Sequence, residues 1–240
     1  MNILLLGSQH GNEHLGDALY SHIATKRREL LPHVVYIIGN PMAHAKNVRY
    51  LESDLNRSYG KQQKTYEEKR ATELLQIIKS AKFDLVLDLH TTRCIQPPSI
   101  IVGGDSAKTK RFITATSIRH IVHMKHSIVK TSLIGVCSHA VSIEINYKAV
   151  SQRLLSLLCD DIERCILNIS SLSAHTEYEI YDMLVKDELT DAEVGALINF
   201  KKALRGFYPI LVGENSYKAQ TSYLGFKARI IETKSYKGTV

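Results

Sequence analysis

The sequence predicts an α/β fold in which a mixed, mostly parallel sheet is flanked by helices. Short apolar runs, which are typical of buried strands, recur along the first 170 residues. Segments in which apolar residues keep helical spacing separate these runs. Strands that alternate with helices favour a parallel sheet covered on both faces. Hydrophobic residues make up 44% of the chain, which is ordinary for a globular protein and sufficient for a sizeable core.

Five apolar segments are predicted to form the strands. The first ends at Gly7, and in the third apolar residues alternate with polar residues such as Asp88, as in a β-strand. The predicted strands cover residues 3–6, 34–38, 83–90, 99–102 and 141–145.

Three helices are predicted between and after these strands. Apolar residues keep helical spacing over residues 15–31, and Pro32 is expected to end this first helix. Thr65 and Glu68 form a capping box, which predicts the start of the second helix. The third helix is expected over about residues 149–169.

The character of the sequence changes after residue 170. A serine-rich stretch over residues 170–175 is typical of a linker, and short β-like runs follow at residues 210–212 and 228–231. We therefore predict a main domain over residues 1–170 and a small β-rich C-terminal domain over residues 171–240.

The net charge of +7 admits two interpretations. A nucleic-acid-binding protein needs a concentrated basic stripe, whereas a diffuse positive field attracts small anionic substrates. Lysine and arginine are scattered here, and the densest cluster, residues 26–28, can simply complement a helix dipole. We expect a small anionic substrate and no nucleic acid.

The length of the apolar runs and the spacing of the cysteines indicate the cellular location and the class of partner. No run approaches the ~20 residues that cross a bilayer, so no membrane partner is expected. The four cysteines form no CxxC pair, and without an export signal a cytoplasmic location is expected. The sequence is compatible with a homo-oligomer.

Three residues have the pattern of a metal site. His10 and Glu13 follow the first predicted strand, and His90 ends another. The carboxyl ends of parallel strands meet at the sheet edge where ligands bind. Two histidines and a carboxylate are typical of a catalytic zinc that keeps one position for water, although other divalent ions also fit. Asp88 lies on the same strand face as His90 and is a candidate support for this ligand.

The alternative for each histidine is a structural role. A single histidine after a strand is more often a surface or capping residue. His120, His123 and His126 lack the context of a strand end beside a carboxylate, and we interpret them as surface residues.

Glu144 is the candidate general base. It alternates with apolar residues on a predicted strand, and a buried carboxylate is costly unless it is paired or functional. Beside a metal it can accept a proton from water and return it to a leaving nitrogen. A salt-bridged glutamate at a sheet edge is the alternative.

A long polar segment over residues 43–63 is a candidate functional loop. Arg49 is placed to stabilise an oxyanion near the metal. Asn56 and Arg57 are adjacent and can bind a carboxylate through charge-assisted hydrogen bonds. A solvated basic loop is the alternative.

Taken in order, these motifs resemble the aspartoacylase and succinylglutamate desuccinylase family of zinc amidohydrolases. The matching segments are residues 10–13, 49–57, 88–92, 143–144 and 208–217. The resemblance implies a fold similar to that of zinc carboxypeptidases and one Zn²⁺ per chain. It makes residues 1–170 the zinc-dependent catalytic domain and residues 171–240 a domain that covers the active site.

The resemblance also implies a role for each matching residue. The metal ligands are His10, Glu13 and His90, and Glu144 is the general base and acid. Arg49 polarises the scissile carbonyl, and a structural role falls to Glu214. The substrate-binding residues implied by the resemblance are Asn56, Arg57 and Tyr217.

Two departures concern the choice of substrate. Aspartoacylase has an arginine ten residues before the catalytic glutamate, where this chain has Ile134, and a lysine in the tail, where this chain has Thr221. We therefore expect hydrolysis of a small N-acyl amino acid without a preference for aspartate. The alternatives are a metallocarboxypeptidase that acts on short peptides and a metal-binding module without activity.

Overall fold

The computed structural model describes residues 1–214 and 222–234. Within these residues the strands form a single nine-stranded sheet. The strands are β1 (Ile3–Gly7), β2 (Val34–Ile38), β3 (Leu85–Thr92), β4 (Ser99–Val102), β5 (His120–His123), β6 (Ala140–Asn146), β7 (His175–Val185), β8 (Tyr208–Ile210) and β9 (Tyr223–Lys234).

The sheet is mixed and mostly parallel, with the order β2-β1-β3-β6-β4-β5-β7-β9-β8. The strands β2, β1, β3 and β6 run parallel to one another. The strand β4 is antiparallel to β6, and β5 and β7 continue parallel to β4. Two antiparallel pairings, β7 with β9 and β9 with β8, complete the sheet. The carboxyl ends of β1 and β3 therefore lie at the same edge as the amino ends of β4 and β5.

Helices cover both faces of this sheet. Leu19 and Leu158, from two helices, pack with Leu87 on one face, and Leu74, from a third helix, packs with Val86 on the other. The α-helices are α1 (Leu15–Lys26), α2 (Pro41–Ala45), α3 (Tyr66–Ala81), α4 (Ala107–Ala115), α5 (His126–Val129), α6 (Leu133–Val136), α7 (Gln152–Leu167) and α8 (Asp191–Gly195). No helix in residues 1–214 and 222–234 is long and apolar enough to cross a membrane.

The first helix is shorter than the sequence predicts. It ends at Lys26 instead of near residue 31, and a 3-10 helix over Arg28–His33 contains Pro32. The guanidinium of Arg27 bonds to Glu163 of α7 at 2.8 Å, so a tertiary ion pair helps fix the point where the chain leaves the helix.

The C-terminal segment extends the same sheet. The strand β7 pairs in parallel with β5, where Ile121 lies opposite Glu177. Glu214, beyond β8, accepts a hydrogen bond from the hydroxyl of Thr92 at 2.9 Å, so the tail meets the end of β3. The domain boundary after residue 170 stays a prediction.

Candidate metal centre and active site

The predicted metal ligands lie at the carboxyl ends of two neighbouring parallel strands. His10 and Glu13 occupy the turn between β1 and α1, and His90 lies near the end of β3. The backbone N–H of Glu13 donates to the carbonyl of His10 at 3.0 Å, which closes the turn. A Cβ at Gly11 would lie 2.2 Å from the carbonyl carbon of Ala43, so only glycine allows this close packing.

The three side chains converge on one point. Glu13 Oε1 lies 2.7 Å from His10 Nδ1, and Glu13 Oε2 lies 2.9 Å from His90 Nδ1. The three residues are buried, and one ligand atom of each lies within 4.8 Å of the other two. Two imidazoles and a carboxylate in this arrangement fit a divalent cation such as zinc.

A carboxylate lies at the outer nitrogen of each histidine. Asp54 Oδ1 is 3.1 Å from His10 Nε2, and Asp88 Oδ2 is 3.0 Å from His90 Nε2. A carboxylate that accepts the Nε2 proton fixes the tautomer and leaves Nδ1 to face the centre. The sequence predicted this place for Asp88, but it assigned no role to Asp54.

Asp88 is itself held in a buried network. Its Oδ1 accepts a hydrogen bond from Gln9 at 2.6 Å, and its Oδ2 accepts one from Ser142 at 2.8 Å. Gln9 in turn accepts a hydrogen bond from the hydroxyl of Tyr59 at 2.7 Å. Because these side chains are almost completely buried, the network fixes the orientation of His90.

The electrostatics of this centre favour a cation. Burial opposes the ionisation of Glu13, yet His10 and His90 outweigh it and hold the pKa of this carboxyl well below its usual range. Burial also lowers the pKa of each histidine. The nearby carboxylates, Glu13 and Asp54 for His10 and Asp88 and Glu13 for His90, outweigh burial and raise both pKa values.

Glu144 lies beside the predicted metal ligands. It is half-buried on β6, directly in register with His90 on β3, so both side chains belong to the same face of the sheet. Burial raises its pKa to about 7. A carboxyl with such a pKa is suited to accept and donate a proton near neutral pH.

The residues from the polar loop reach the site to different extents. Arg49 Nη1 is 3.6 Å from Glu13, and Arg49 Nη2 is 3.2 Å from Asp54. Asn56 Nδ2 is 3.4 Å from His90 Nε2, and Asn56 Oδ1 accepts a hydrogen bond from the backbone N–H of Leu133. Arg57 is exposed, and its guanidinium donates to the carbonyl of Asn56.

Tyr217 lies outside the described residues, so its role stays a prediction. Ile134, where aspartoacylase has an arginine, is 6% exposed and belongs to the apolar core.

A cavity of about 1530 Å³ opens beside Glu13 and Arg49 and extends to Gln96, His120 and Phe200. The interpretation of His120 as a surface residue was therefore wrong. The ring is half-buried, and its Nδ1 is completely buried. The sequence did not reveal this because β5 is only four residues long and begins and ends with histidine.

Comparison with known proteins identifies related sequences. Residues 1–149 match the family model described as the succinylglutamate desuccinylase/aspartoacylase catalytic domain. A probable aspartoacylase from Prochlorococcus marinus (strain MIT 9515) is 32% identical over 129 residues, which cover 49% of this chain and 42% of that protein. An N-acyl-aromatic-L-amino acid amidohydrolase (carboxylate-forming) from Xenopus tropicalis is 34% identical over 103 residues, or 38% of this chain and 33% of that protein. This chain thus spans less than half the length of these two curated relatives.

The fold is similar to that of a solved structure. Murine aminoacylase 3 superposes with a TM-score of 0.70 at 19% sequence identity, over 98% of this chain and 97% of that chain. This similarity confirms the predicted α/β class with a carboxypeptidase-like sheet.

Proposed function

Because the chain belongs to the succinylglutamate desuccinylase/aspartoacylase family, we propose that it hydrolyses the amide bond of a small N-acyl amino acid with one Zn²⁺ per chain. The observation that carries this proposal is the placement of Glu144 in register with His90, beside the point where His10, Glu13 and His90 converge. A metal site and a proton carrier then face the same reacting group.

The metal centre fits the proposed chemistry. His10, Glu13 and His90 would hold the ion, and Asp54 and Asp88 would keep the two imidazoles oriented. When bound, Zn²⁺ would polarise the scissile carbonyl and lower the pKa of a water molecule.

Glu144 is the proposed general base and acid. As a carboxylate it accepts a proton from the attacking water, and as a carboxylic acid it returns this proton to the leaving nitrogen. Its pKa of about 7 supports this double role, because neither protonation state is strongly disfavoured at neutral pH.

Arg49, Asn56 and Arg57 are the proposed substrate contacts. Arg49 lines the cavity beside Glu13, where a guanidinium stabilises negative charge that develops on the carbonyl oxygen. Asn56 and Arg57 share one turn and would bind the α-carboxylate by charge-assisted hydrogen bonds. Tyr217 is proposed to reach the substrate from the tail.

We also propose that the enzyme does not prefer aspartate. An acidic substrate side chain needs a cation, and at the position of the aspartoacylase arginine the buried Ile134 offers none. The C-terminal segment is proposed to cover the site, and the bond between Thr92 and Glu214 supports this placement.

The substitution Glu144→Gln tests the proposal. This change removes the proton carrier but keeps the size of the side chain and leaves the three metal ligands intact. We expect the variant to bind zinc as the wild type does and to lose nearly all hydrolysis of N-acyl amino acids. Gln76→Leu, on the exposed surface of α3, is a control for expression and folding. Wild-type activity in Glu144→Gln would refute the role of Glu144.

A metallocarboxypeptidase that acts on short peptides is the second candidate. The volume of the cavity favours it, because about 1530 Å³ exceeds the roughly 300–1,000 Å³ that usually enclose a small ligand. Faster release of the C-terminal residue from dipeptides than of the amino acid from N-acetyl amino acids would favour this alternative.

A further inference from the structure

The cavity extends away from the predicted metal site past the amino ends of the strands β4 and β5. Ser99 on β4 is in register with Glu144 on one side and with His120 on the other. Neighbouring strands lie about 4.8 Å apart, so His120 lies roughly 10 Å from Glu144 along this row. A group that reaches His120 from the reacting carbonyl must therefore be several bonds long.

In the part of this cavity away from Glu13 and Arg49, two buried polar atoms have no hydrogen-bond partner among the described residues. They are Gln96 Oε1 and His120 Nδ1. Gln96 is only 8% exposed, and its amide nitrogen is 3.4 Å from Ser99 Oγ, which leaves the carbonyl oxygen without a donor. Buried polar atoms are rarely left unpaired in folded proteins, so a ligand that completes these bonds is the physical explanation that fits.

The surroundings of these atoms favour a flat, uncharged group. The ring of Phe200 has its centroid 4.4 Å from that of His120, and Tyr178 packs edge-on against Phe200 at 5.2 Å. Burial and the charge of Arg119 lower the pKa of His120, which favours the neutral form of its ring. Ile198, which lines the same cavity, is 53% exposed and adds apolar surface.

Apart from Arg49, which lies beside Glu13, the cations of the cavity lie at exposed positions. Arg93, Lys148 and Lys201 line it, and all three are exposed, so they contribute to a positive field at the entrance. Gln96, by contrast, presents a buried acceptor oxygen. This oxygen disfavours a carboxylate and requires a donor such as O–H or N–H.

The geometry also indicates which end of the substrate enters this cavity. Asn56 lies against His90 on β3, whereas His120 begins β5, two strands beyond Glu144 on β6, and Gln96 lies in the loop before β4. If Asn56 and Arg57 bind the α-carboxylate, the acyl group extends to the other side of Glu144.

We propose that Gln96, His120 and Phe200 form the subsite for the acyl group, and that this subsite selects a flat aromatic acyl group with a hydrogen-bond donor at its far end. This inference rests on the proposed deacylase function. The ring would pack against His120 and Phe200. Because Gln96 Oε1 is completely buried in this structure, a rotation of the Gln96 side chain would bring this oxygen to the O–H or N–H of the ring. An acetyl group is too short to reach these atoms, and a succinyl group carries the wrong charge.

The test compares three substrates that share one amino acid and differ only in the acyl group: N-acetyl, N-benzoyl and N-(4-hydroxybenzoyl). For the wild type we expect kcat/KM to be highest for the 4-hydroxybenzoyl substrate, about tenfold or more above the benzoyl substrate. In Gln96→Leu this ratio should fall to about one, because the acceptor is removed. His120→Phe keeps the ring contact with Phe200 and the acceptor of Gln96, so the ratio should stay close to that of the wild type.

Gln76→Leu on the surface of α3 is the matched control, and its ratio should equal that of the wild type. An N-acetyl substrate that is cleaved as well as both aroyl substrates would overturn the subsite and leave the deacylase proposal intact.

If no substrate is hydrolysed, a binding measurement tests the acyl-group subsite separately from the proposed deacylase function. Calorimetry with 4-hydroxybenzamide and benzamide as probes does not depend on turnover. Tighter binding of 4-hydroxybenzamide to the wild type, lost in Gln96→Leu, would support the subsite even if the deacylase function fails. Equal binding of both probes to both proteins would overturn it.

Discussion

Asp54 provides a sensitive test of how the metal centre is built. It lies in a loop 44 residues from His10, and both of its carboxylate oxygens are close to His10 Nε2, at 3.1 and 3.2 Å. In Asp54→Asn the side chain keeps its size and one acceptor oxygen but loses its charge. We therefore expect the fold to be retained and the metal to be bound more weakly.

The magnitude follows from the role of the carboxylate. It holds the Nε2 proton of His10 and makes Nδ1 a stronger donor to a cation, and loss of such a partner typically weakens metal binding 10–100-fold. This corresponds to about 1.4–2.7 kcal/mol of binding free energy. Arg49 also contacts Asp54 at 3.2 Å, so its position depends on the same carboxylate.

The assay is a competition titration of zinc with a chromophoric chelator at neutral pH. Asp105→Asn is the matched control, because Asp105 is exposed and pairs only with Lys110 among the contacts of the described residues. We expect wild-type zinc affinity in this control. The same affinity in Asp54→Asn, with the protein folded, would refute the proposed support of His10.

Three further predictions concern pH dependence, stability and packing. The acid limb of the kcat/KM profile should have its midpoint between pH 4.5 and about pH 7, because Glu144 must be ionised to act as a base. A bound cation lowers the raised pKa of Glu144 towards the lower end of this range. A pH–rate profile that is flat over this range would contradict the role of Glu144. Burial opposes the ionisation of Glu177, yet Lys234 and two histidines hold its pKa at about 2. Its charge therefore stabilises the fold fully above pH 4.5, and this contribution is lost as the pH falls towards 2. Glu177→Gln should lower the free energy of unfolding by about 2 kcal/mol at pH 7. In thermal denaturation this difference should shrink as the pH falls through 2, where half of the Glu177 carboxyls are protonated. Gly11→Ala should destabilise the protein by about 1–3 kcal/mol, because the new Cβ would lie 2.2 Å from the backbone of Ala43. This variant should also lose zinc to a chelator more readily than the wild type. Unchanged stability would show that the backbone at Ala43 can move away.

The sequence predicted the parts of the site that depend on local pattern. Apolar runs located β1 and β3, and the position of His10 and His90 at their ends followed from the parallel arrangement. Glu144 became a candidate for a different reason, because a carboxylate among apolar strand residues is costly unless it is paired or functional. These features can be predicted from the sequence because each depends on residues that are close together in the chain.

Features that depend on tertiary contacts were missed. Spacing in the chain does not reveal that Asp54 approaches His10, although the Asp-Leu-Asn-Arg motif marked its segment. The end of α1 depends on the ion pair between Arg27 and Glu163, which are 136 residues apart. His120 was missed because its burial results from the neighbours β4 and β7 and from Phe200.

The central claim is that His10, Glu13 and His90 hold a metal ion that hydrolysis requires. The most direct measurement determines metal content by mass spectrometry together with hydrolysis of N-acyl amino acids, before chelation, after chelation and after zinc is returned. We predict about one zinc per chain, release of a free amino acid, loss of both on chelation, and recovery of both on reconstitution. A protein that contains no divalent metal, or that hydrolyses its substrate equally well after the metal has been removed, would contradict the account.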